Sequence, residues 1–201
     1  MRPVAVSQRI DDHPQRSESR DALDRRLIEL IVATGHLPVP VPNDLPLAAE
    51  TGVNLNAWLA AVRPCAVLLS GGGDPGHQPA RDATESRLLD HALAHGLPVL
   101  GLCRGMQVLG LRARAQLRTA DGHVGTRHRL VGLLHGDVNS YHRMVLATCP
   151  DGYEVLARSG DGEIEAIRHD TLPWEGWMWH PEREPVFRTT DVERMRTLFN
   201  A

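Results

Sequence analysis

The sequence predicts an α/β fold in which helices flank an open, mostly parallel central sheet. Short apolar runs alternate with amphipathic stretches in the first half, which is typical of parallel βαβ units with right-handed crossovers. Turn-linked apolar runs follow in the second half and predict a smaller antiparallel β region there. The 201 residues, of which 42% are hydrophobic, suffice for one sizeable core. We therefore expect a single domain over residues 1–201.

The elements of the first half each have a local signal. Residues 20–34 predict a helix because their leucines recur at helical spacing and Gly35 can serve as its C′ residue. Two prolines restrict the extended segment 37–41 to a sheet edge or a strand end. The predicted elements in chain order are the strand 4–7, the helix 20–34, the extended segment 37–41, the helix 55–62, the strand 66–69, the loop 70–75, the helix 82–95 and a strand that ends at Cys103.

The helix over 82–95 is predicted to pack through an apolar face that includes Leu93, and a further helix follows Cys103. The second half predicts short strands and a closing helix. In chain order these are the strands 129–134, 143–147, 153–157, 164–168 and 177–180 and the helix 191–199.

Composition and charge exclude several classes of function. The 25 Asp and Glu residues outnumber the 22 Lys and Arg residues, so the net charge of −3 would attract neither a nucleic acid nor an anionic membrane surface overall. We also find no apolar stretch long enough to span a bilayer and no signal-peptide pattern at the N-terminus. The three cysteines cannot all pair within one chain and show no CxxC spacing, so we expect a reducing cytoplasm.

The most informative motif is Gly101-Leu102-Cys103-Arg104-Gly105, directly after an apolar run. A strand that turns at once into a helix would hold the Cys103 backbone in a strained, exposed corner, and the flanking glycines would leave room for it. The N-terminus of the next helix would then stabilise a thiolate and offer donors to an oxyanion. Taken alone, the pentapeptide is equally compatible with a buried structural cysteine beside a tight turn.

A nucleophilic cysteine needs a base and a group that orients the base. His180 can be that base, and Glu182, two residues later, can hold its Nδ1. Reactive groups of an open α/β sheet gather at the carboxyl ends of its strands, where Cys103, His180 and the loop Gly71-Gly72-Gly73 are all predicted to lie. Alone, His180 would more often be a partly exposed histidine at a strand end.

Together these motifs resemble the class I glutamine amidotransferase superfamily, and the resemblance covers most of the chain in the expected order. It rests on Gly101-Leu102-Cys103-Arg104-Gly105-Met106-Gln107 and on His180-Pro181-Glu182. Ser140-Tyr141-His142 and Met178-Trp179-His180-Pro181-Glu182-Arg183 bring the chain closer to the γ-glutamyl hydrolase branch, the peptidase C26 group. The resemblance implies a flavodoxin-like fold.

The resemblance also implies hydrolysis of a γ-glutamyl amide bond in a small molecule through a γ-glutamyl thioester, with no metal and no organic cofactor. The implied site consists of a triad of Cys103, His180 and Glu182, an oxyanion hole from the backbone N–H groups of Gly71 or Gly72 and of Arg104, and substrate contacts at Gln107 and the main chain of Ser140, Tyr141 and His142. Two alternatives stay open. The chain could be a glutaminase subunit that supplies ammonia to a separate synthetase, or a non-catalytic binding or regulatory member. A synthetase partner or a homodimer is compatible with the sequence.

A narrower resemblance is carried by four segments, 7–11, 19–24, 40–43 and 122–128. They are similar to a bacterial surface-polysaccharide subgroup that includes hydrolases of γ-glutamyl-CDP-amidate, which act in phosphoramidate capsule modification. This implies a nucleotide phosphoramidate leaving group with Arg9, Arg20, Arg127 and His128 as diphosphate contacts. In the alternative interpretation, Arg9 and Arg20 pair with Asp11 and Asp21, and the histidine-rich loop is solvated.

Two further observations concern departures from these patterns. Related proteins have a glycine-rich turn where this chain has Arg112-Ala113-Arg114-Ala115-Gln116, so easy access to positive φ is lost there. Among the eleven histidines, the only local pair with metal-ligand spacing is His91 and His95, which we interpret as exposed residues at a helix end.

Overall fold

The structure, a computed structural model, describes residues 1–45 and 54–201. The strands in chain order are β1 (Pro3–Ser7), β2 (Arg9–His13), β3 (Glu18–Ala22), β4 (Leu37–Val41), β5 (Ala66–Leu69), β6 (Val99–Leu102), β7 (Leu117–Thr119), β8 (Val124–Gly132), β9 (Gly136–Tyr141), β10 (Met144–Leu146), β11 (Tyr153–Arg158), β12 (Ile164–His169) and β13 (Trp174–Trp177). The helices are α1 (Arg25–Ala33), α2 (Leu55–Val62), α3 (Pro79–His95), α4 (Arg104–Arg112) and α5 (Thr189–Phe199).

Nine of these strands form one sheet, in the order β4-β1-β5-β6-β13-β12-β11-β8-β9. The pairs from β4 to β13 are parallel, whereas those from β13 to β9 are antiparallel. The predicted fold class is therefore confirmed. Four antiparallel strands of the second half, β12, β11, β8 and β9, extend the parallel sheet from β13, whereas β7 and β10 pair as a separate two-stranded sheet.

Alternating side chains of the parallel strands pack on opposite faces of the sheet, as the pleat requires. On one face, Val4 and Val6 of β1 pack with residues of α1 and α5. On the other, Ala5 of β1 packs with residues of α2, α3 and α4. Helices thus cover both faces of the parallel half, and the carboxyl ends of β5 and β6 open at one edge between them.

The segment before α1 differs from the prediction. The expected helix over 20–34 begins only at Arg25, because the Asp24 side chain accepts a hydrogen bond from the Arg26 backbone N–H (2.8 Å) and caps it. Residues 18–22 instead form β3, which pairs with β2 in an antiparallel hairpin. The helical spacing of the leucines correctly located the helix but not its start.

Other elements also differ from the prediction, for local reasons. Helix α3 starts at Pro79, where a proline is tolerated because the first helical N–H groups have no intrahelical partner. The predicted packing of Leu93 is wrong, since this side chain is 49% exposed. Strand β9 was not predicted because its buried positions include Asn139 and Ser140, so the apolar alternation that marks a half-buried strand is missing.

The turn after α4 is rebuilt without glycine. Arg114 adopts a left-handed conformation with φ +63°. The Ala115 N–H donates to the Gly110 carbonyl (2.9 Å), and the Arg114 N–H donates to the Leu111 carbonyl (3.0 Å). This is the Schellman pattern of a helix C-terminus, with arginine at the position that usually carries glycine.

None of the helices in residues 1–45 and 54–201 combines the length and apolar character that a membrane crossing requires.

Candidate active site

Cys103 occupies the corner between β6 and α4. Its backbone has φ +51° and ψ −103°, in a region that L residues rarely adopt. The Cys103 N–H donates to the Trp177 carbonyl of β13 (2.7 Å), and the Cys103 carbonyl accepts from the Gln107 N–H (3.2 Å). The strained corner is therefore held from both sides, by the neighbouring strand and by the first turn of α4.

Both glycines that flank Cys103 are required by close backbone contacts. A Cβ on Gly101 would lie 2.5 Å from the carbonyl carbon of Gly105, and a Cβ on Gly105 would overlap the Leu69 carbonyl oxygen of β5. A side chain at either position would push α4 away from the sheet. The glycines thus leave room for the corner in the way the sequence predicts.

Cys103 is less exposed than its sequence context predicts. The residue is only 7% exposed, and it lies at the wall of a cavity of about 220 Å³. Gln107, Tyr141, His142 and His180 line the same cavity. A small molecule can reach the thiol through this cavity, while the surroundings keep bulk water away from most of the residue.

His180 lies beside Cys103 and is oriented by Glu182. The Nδ1 of His180 donates to the Glu182 carboxylate over 2.6 Å, and both side chains are buried. This bond fixes the tautomer and leaves Nε2 available to Cys103, which lines the same cavity as His180. The predicted strand over 177–180 is wrong, since β13 ends at Trp177 and Glu182 lies in a 3-10 turn over Pro181–Arg183.

The surroundings of His180 favour its charged form. Burial opposes the charge, but hydrogen bonds to the Cys103 sulfur and the Glu182 carboxylate, together with the negative charges of these groups, outweigh it and raise the pKa of His180 to about 9. At neutral pH the imidazole is therefore an imidazolium. This is the state that pairs with a thiolate.

Asn139 of β9 fixes the backbone of His180. Its side-chain amide donates to the His180 carbonyl (2.7 Å) and accepts from the His180 N–H (3.0 Å). It also donates to the Glu184 carboxylate (2.8 Å). Because β13 ends three residues earlier, this amide replaces the missing strand hydrogen bonds at His180. Sequence reasoning missed this role, because an asparagine within a predicted loop carries no signal that could have revealed the contact.

The loop after β5 lies against the imidazole. A Cβ on Gly71 would come within 2.6 Å of the His180 Cε1 atom, so only glycine allows this approach. Gly72 adopts φ +90°, which also favours glycine. The Arg104 N–H is the first of α4, where backbone N–H groups have no partner within the helix. Gly71, Gly72 and Arg104 are thus placed around the corner that carries Cys103.

A buried guanidinium fixes this loop. Arg81 of α3 donates to the carbonyl oxygens of Ser70 (2.7 Å), Gly71 (3.1 Å) and Gly72. Its Nε donates to the Glu85 carboxylate (2.9 Å), one helical turn later. Burial lowers the pKa of Arg81, although the Glu85 charge opposes this shift. The i, i+4 spacing of the pair is visible in the sequence, but its complete burial is not.

Glu85 connects this guanidinium to the helix that follows Cys103. The carboxylate also accepts from the Ser7 hydroxyl (2.8 Å) and pairs with the Arg104 side chain. Asp82 pairs with the same Arg104 guanidinium. The Arg104 side chain is therefore a buried structural cation, and only its backbone faces the site.

The residues predicted to bind the substrate fall into two groups. Gln107, Tyr141 and His142 line the cavity with Cys103. The Gln107 amide donates to the Met144 carbonyl (2.9 Å), and its oxygen has no hydrogen-bond partner among the described residues. Ser140 is buried, its hydroxyl donates to the His123 carbonyl (2.7 Å), and it is not among the residues that line this cavity.

The three arginines predicted as phosphate contacts are not brought together. Arg9 lines a smaller cavity on the other side of His180, although it also pairs with Asp11 (2.9 Å). Arg20 pairs with Glu18 over 2.6 Å, and not with Asp21. Arg127 is outside the residues that line these two cavities and pairs with Glu184 over 3.1 Å.

Comparisons with known proteins identify relatives of this chain. The family model described as glutamine amidotransferase class-I matches residues 18–196. A γ-glutamyl-CDP-amidate hydrolase of Campylobacter jejuni is 30% identical over 125 residues, 59% of this chain and 62% of that protein. The chain thus spans less than two thirds of the length of this relative. One subunit of a glutamine-hydrolysing GMP synthase from Methanosarcina barkeri is 31% identical over 151 residues, 70% of this chain and 75% of that protein.

One solved structure shows the same fold over the whole chain. It is that of a protein from Thermoplasma acidophilum described as a GMP synthase subunit, with a TM-score of 0.74 and 18% identity. The match covers 100% of this chain and 93% of that one. At this identity the likeness concerns the fold alone.

Proposed function

The chain belongs to the class I glutamine amidotransferase family, and we propose that it is a cysteine-dependent hydrolase of the γ-glutamyl amide bond of a small metabolite. One observation carries this proposal. Cys103, on a strained corner between strand and helix, lines one cavity with His180, whose Nδ1 is held by Glu182 over 2.6 Å. Nucleophile, base and orienting group thus come together at one site, as covalent catalysis by a thiol requires.

The proposed reaction proceeds through a γ-glutamyl thioester. His180 is charged at neutral pH and already holds the proton of the pair, so the Cys103 sulfur attacks the γ-carbonyl carbon of the substrate as a thiolate. The imidazolium of His180 then protonates the departing nitrogen as the C–N bond breaks. In the second half, His180 takes a proton from water, the resulting hydroxide attacks the thioester, and glutamate and the Cys103 thiolate are released beside the imidazolium.

The tetrahedral intermediates need donors for their oxyanion. We assign this role to the backbone N–H groups of Gly71 or Gly72 and of Arg104, each contributing about 3 kcal/mol to the lowering of the barrier. Arg81 and Glu85 act as positioning residues, because they hold the carbonyl side of the glycine loop and the Arg104 side chain. Donors fixed in advance need no reorganisation when the charge develops.

The cavity of about 220 Å³ accommodates the glutamyl group in this proposal. Gln107 and the main chain of residues 140–142 would bind its amino and carboxylate ends. The free oxygen of the Gln107 amide is an acceptor suited to an ammonium group.

The leaving group is proposed to be a nucleotide phosphoramidate, as in γ-glutamyl-CDP-amidate, the substrate named for the Campylobacter relative. Arg9 supports this, because it lines the smaller cavity on the other side of His180 together with Gly72, and a guanidinium fork matches phosphate oxygens. The corresponding role would be surface-polysaccharide phosphoramidate biosynthesis. A phosphate contact by Arg127 has weaker support, since the Glu184 carboxylate already pairs with its guanidinium.

A second candidate function is supported by the Methanosarcina relative, which is named as part of a glutamine-hydrolysing GMP synthase. In that case the substrate is glutamine, and the released ammonia passes to a separate synthetase. Both functions use the same triad, so the site itself does not distinguish them. Cys103 and His180 line one cavity and Glu182 holds His180, which argues against a non-catalytic binding member of the family.

Glutamate release from a panel of amides tests these alternatives. The purified chain is assayed with glutamine, γ-glutamyl amines and a γ-glutamyl nucleotide phosphoramidate. A free-standing hydrolase turns over at least one of the latter two alone, whereas a synthetase-coupled chain hydrolyses glutamine and stays slow without its partner. Cys103→Ala should abolish release from every substrate and leave folding intact. Release by this variant at the wild-type rate would contradict the proposal.

The nucleotide leaving group has its own test in Arg9→Gln. This variant should raise KM for the γ-glutamyl nucleotide about tenfold or more, and leave KM for a simple γ-glutamyl amine within about twofold, because a charge-assisted phosphate contact contributes roughly 1.5–3 kcal/mol. Arg16→Gln, in the turn of the same hairpin, is the matched loss of charge and should change neither value. Equal KM changes for both substrates in Arg9→Gln would argue against the phosphate contact.

A further inference from the structure

Three histidines and one glutamate form a cluster within the antiparallel half of the sheet. His123 directly precedes β8, His128 lies in β8, His142 directly follows β9 and Glu165 lies in β12. Each side chain offers one nitrogen or oxygen atom, and these four atoms all lie within 4.8 Å of one another. His123, His142 and Glu165 are at most 3% exposed. The cluster is distinct from Cys103, His180 and Glu182.

Most polar atoms of this cluster lack a hydrogen bond within residues 1–45 and 54–201. The unpartnered buried atoms are Nδ1 of His123, Nε2 of His128, both ring nitrogens of His142 and both carboxylate oxygens of Glu165. A buried polar atom without a partner costs about 1–3 kcal/mol, so natural proteins contain few of them. Six such atoms within one cluster indicate a ligand that satisfies several of them at once.

Two distances between side-chain atoms of the cluster are closer to those of a metal coordination shell than to those of hydrogen bonds. Nδ1 of His123 and Nε2 of His142 lie 3.6 Å and 3.5 Å from Oε1 of Glu165. These separations are too long for hydrogen bonds. Ligand atoms bonded at about 2.0–2.1 Å to a tetrahedral zinc ion would be about 3.3–3.4 Å apart. These two separations are close to that spacing, and all four ligand atoms lie within 4.8 Å of one another.

A second carboxylate orients the first ligand. Nε2 of His123 donates to Asp161 (3.0 Å), and Asp161 in turn accepts a hydrogen bond from the Ser159 hydroxyl. With its proton on Nε2, His123 directs the lone pair of Nδ1 into the cluster. A carboxylate behind a metal-binding histidine is the usual arrangement of the outer shell in zinc sites.

We propose that His123, His128, His142 and Glu165 bind one Zn²⁺ ion at a structural site. Imidazole nitrogens with one carboxylate oxygen suit Zn²⁺, and four protein ligands leave no open position for a substrate. The ion would tie β8, the end of β9 and β12 together. The His142 N–H already donates to the His123 carbonyl (3.0 Å), and the Glu165 carbonyl accepts from the Met178 N–H (2.8 Å). Because His142 also lines the Cys103 cavity, an ion at this site would stabilise the wall of that cavity.

Metal content and a cobalt spectrum test this proposal on the full chain, independently of activity. Protein produced in zinc-supplemented medium and dialysed should retain about one zinc per chain by elemental analysis. After the zinc is removed with a chelator, Co²⁺ should produce the intense visible bands of tetrahedral coordination. Adding back Zn²⁺ at about 100 times its Kd should raise Tm by roughly 5–10 °C over the apoprotein.

Two variants locate the ion. His128→Gln removes one ligand and should lose the retained zinc and the tetrahedral cobalt bands. His91→Gln is the matched control, because it removes one member of the His91 and His95 pair, whose rings lie 4.1 Å apart on α3. It should keep both signals. Failure of the wild-type chain to retain zinc or to show tetrahedral cobalt bands would overturn the proposal. Loss of the metal in His91→Gln with retention in His128→Gln would also overturn it.

Discussion

The imidazole of His180 is fixed by a carboxylate two residues later and by groups from distant parts of the chain. Glu182 holds Nδ1, Asn139 binds the backbone on both sides of the residue, and Gly71 packs against the ring. Cys103 lines the same cavity as the ring. The ring therefore has one orientation and one tautomer, with Nε2 left available to the thiol, before any substrate arrives. Such preorganisation is what makes a weak base effective in catalysis.

The raised pKa of His180 leads to a titration experiment. We expect the His180 ring resonance, assigned by its loss in His180→Asn, to titrate in NMR spectra with a midpoint near pH 9. Cys103→Ala removes a hydrogen bond and an opposite charge, so the midpoint should fall by roughly one pH unit or more. The activity of the wild-type chain should decline as the pH rises through about 9, because the imidazolium that protonates the leaving nitrogen is lost.

The same titration has a consequence for stability. A group whose pKa is raised on folding stabilises the protein fully below its unfolded pKa of 6.5, and this contribution is lost as the pH rises through about 9. Cys103→Ala should weaken that pH dependence of the free energy of unfolding. An unchanged midpoint in Cys103→Ala would contradict the contact between the two side chains.

At the scale of single residues, the sequence indicated Cys103 and Glu182 because both belong to short local motifs. Asn139 was missed, because its role depends on a contact with a residue 41 positions away. The histidine cluster was missed for the same reason. His123, His128 and His142 do not have the spacing of a local metal motif and meet Glu165 only when β8, β9 and β12 assemble into one sheet.

Among the elements, α3 has the role that the sequence suggested least. Its buried pair Arg81 and Glu85 links the glycine loop after β5 to the Arg104 side chain at the start of α4. The helix thereby sets the distance between the two backbone segments that are proposed to form the oxyanion hole. Amphipathic spacing predicted the helix itself, but a charged pair is normally assigned to a solvated face.

The substitution Glu85→Gln should therefore strongly destabilise the folded protein. It leaves Arg81 buried without its carboxylate, so we expect the free energy of unfolding measured with urea to fall by about 3–5 kcal/mol, together with a loss of activity. Asp90→Asn is the matched control, because it breaks the surface pair with Arg112 and should cost less than about 1 kcal/mol. A loss of stability as small as that of the control would show that the buried pair does not hold the loop.

Element boundaries were predictable where capping and periodicity agree. The start of α1 was misplaced because the hairpin residues 18–22 fit a helical pattern before Asp24 caps the helix. The turn after α4 shows a different limit. Arginine at φ +63° is disfavoured intrinsically, and it is held there by the two backbone hydrogen bonds of the Schellman pattern. Local sequence preference could not reveal that these bonds compensate for the missing glycine.

For the molecule as a whole, alternating strands and helices sufficed to predict the fold class and the edge of the sheet that carries Cys103. The sequence did not reveal that the antiparallel strands continue the same sheet through β13. This continuity matters for function, because β13 pairs with β6 in parallel and so places the segment leading to His180 beside Cys103. The proposed zinc site lies in the antiparallel half and the nucleophile in the parallel half.

The most direct test of the proposed mechanism is to trap the thioester on Cys103. The chain is mixed with the γ-glutamyl amide that it hydrolyses fastest, quenched with acid during turnover and analysed by intact-mass and peptide mass spectrometry. We predict a mass increase of one glutamyl group on the peptide that contains Cys103 and none in Cys103→Ala. A glutamyl group on another residue, or turnover by Cys103→Ala at the wild-type rate, would contradict the central claim.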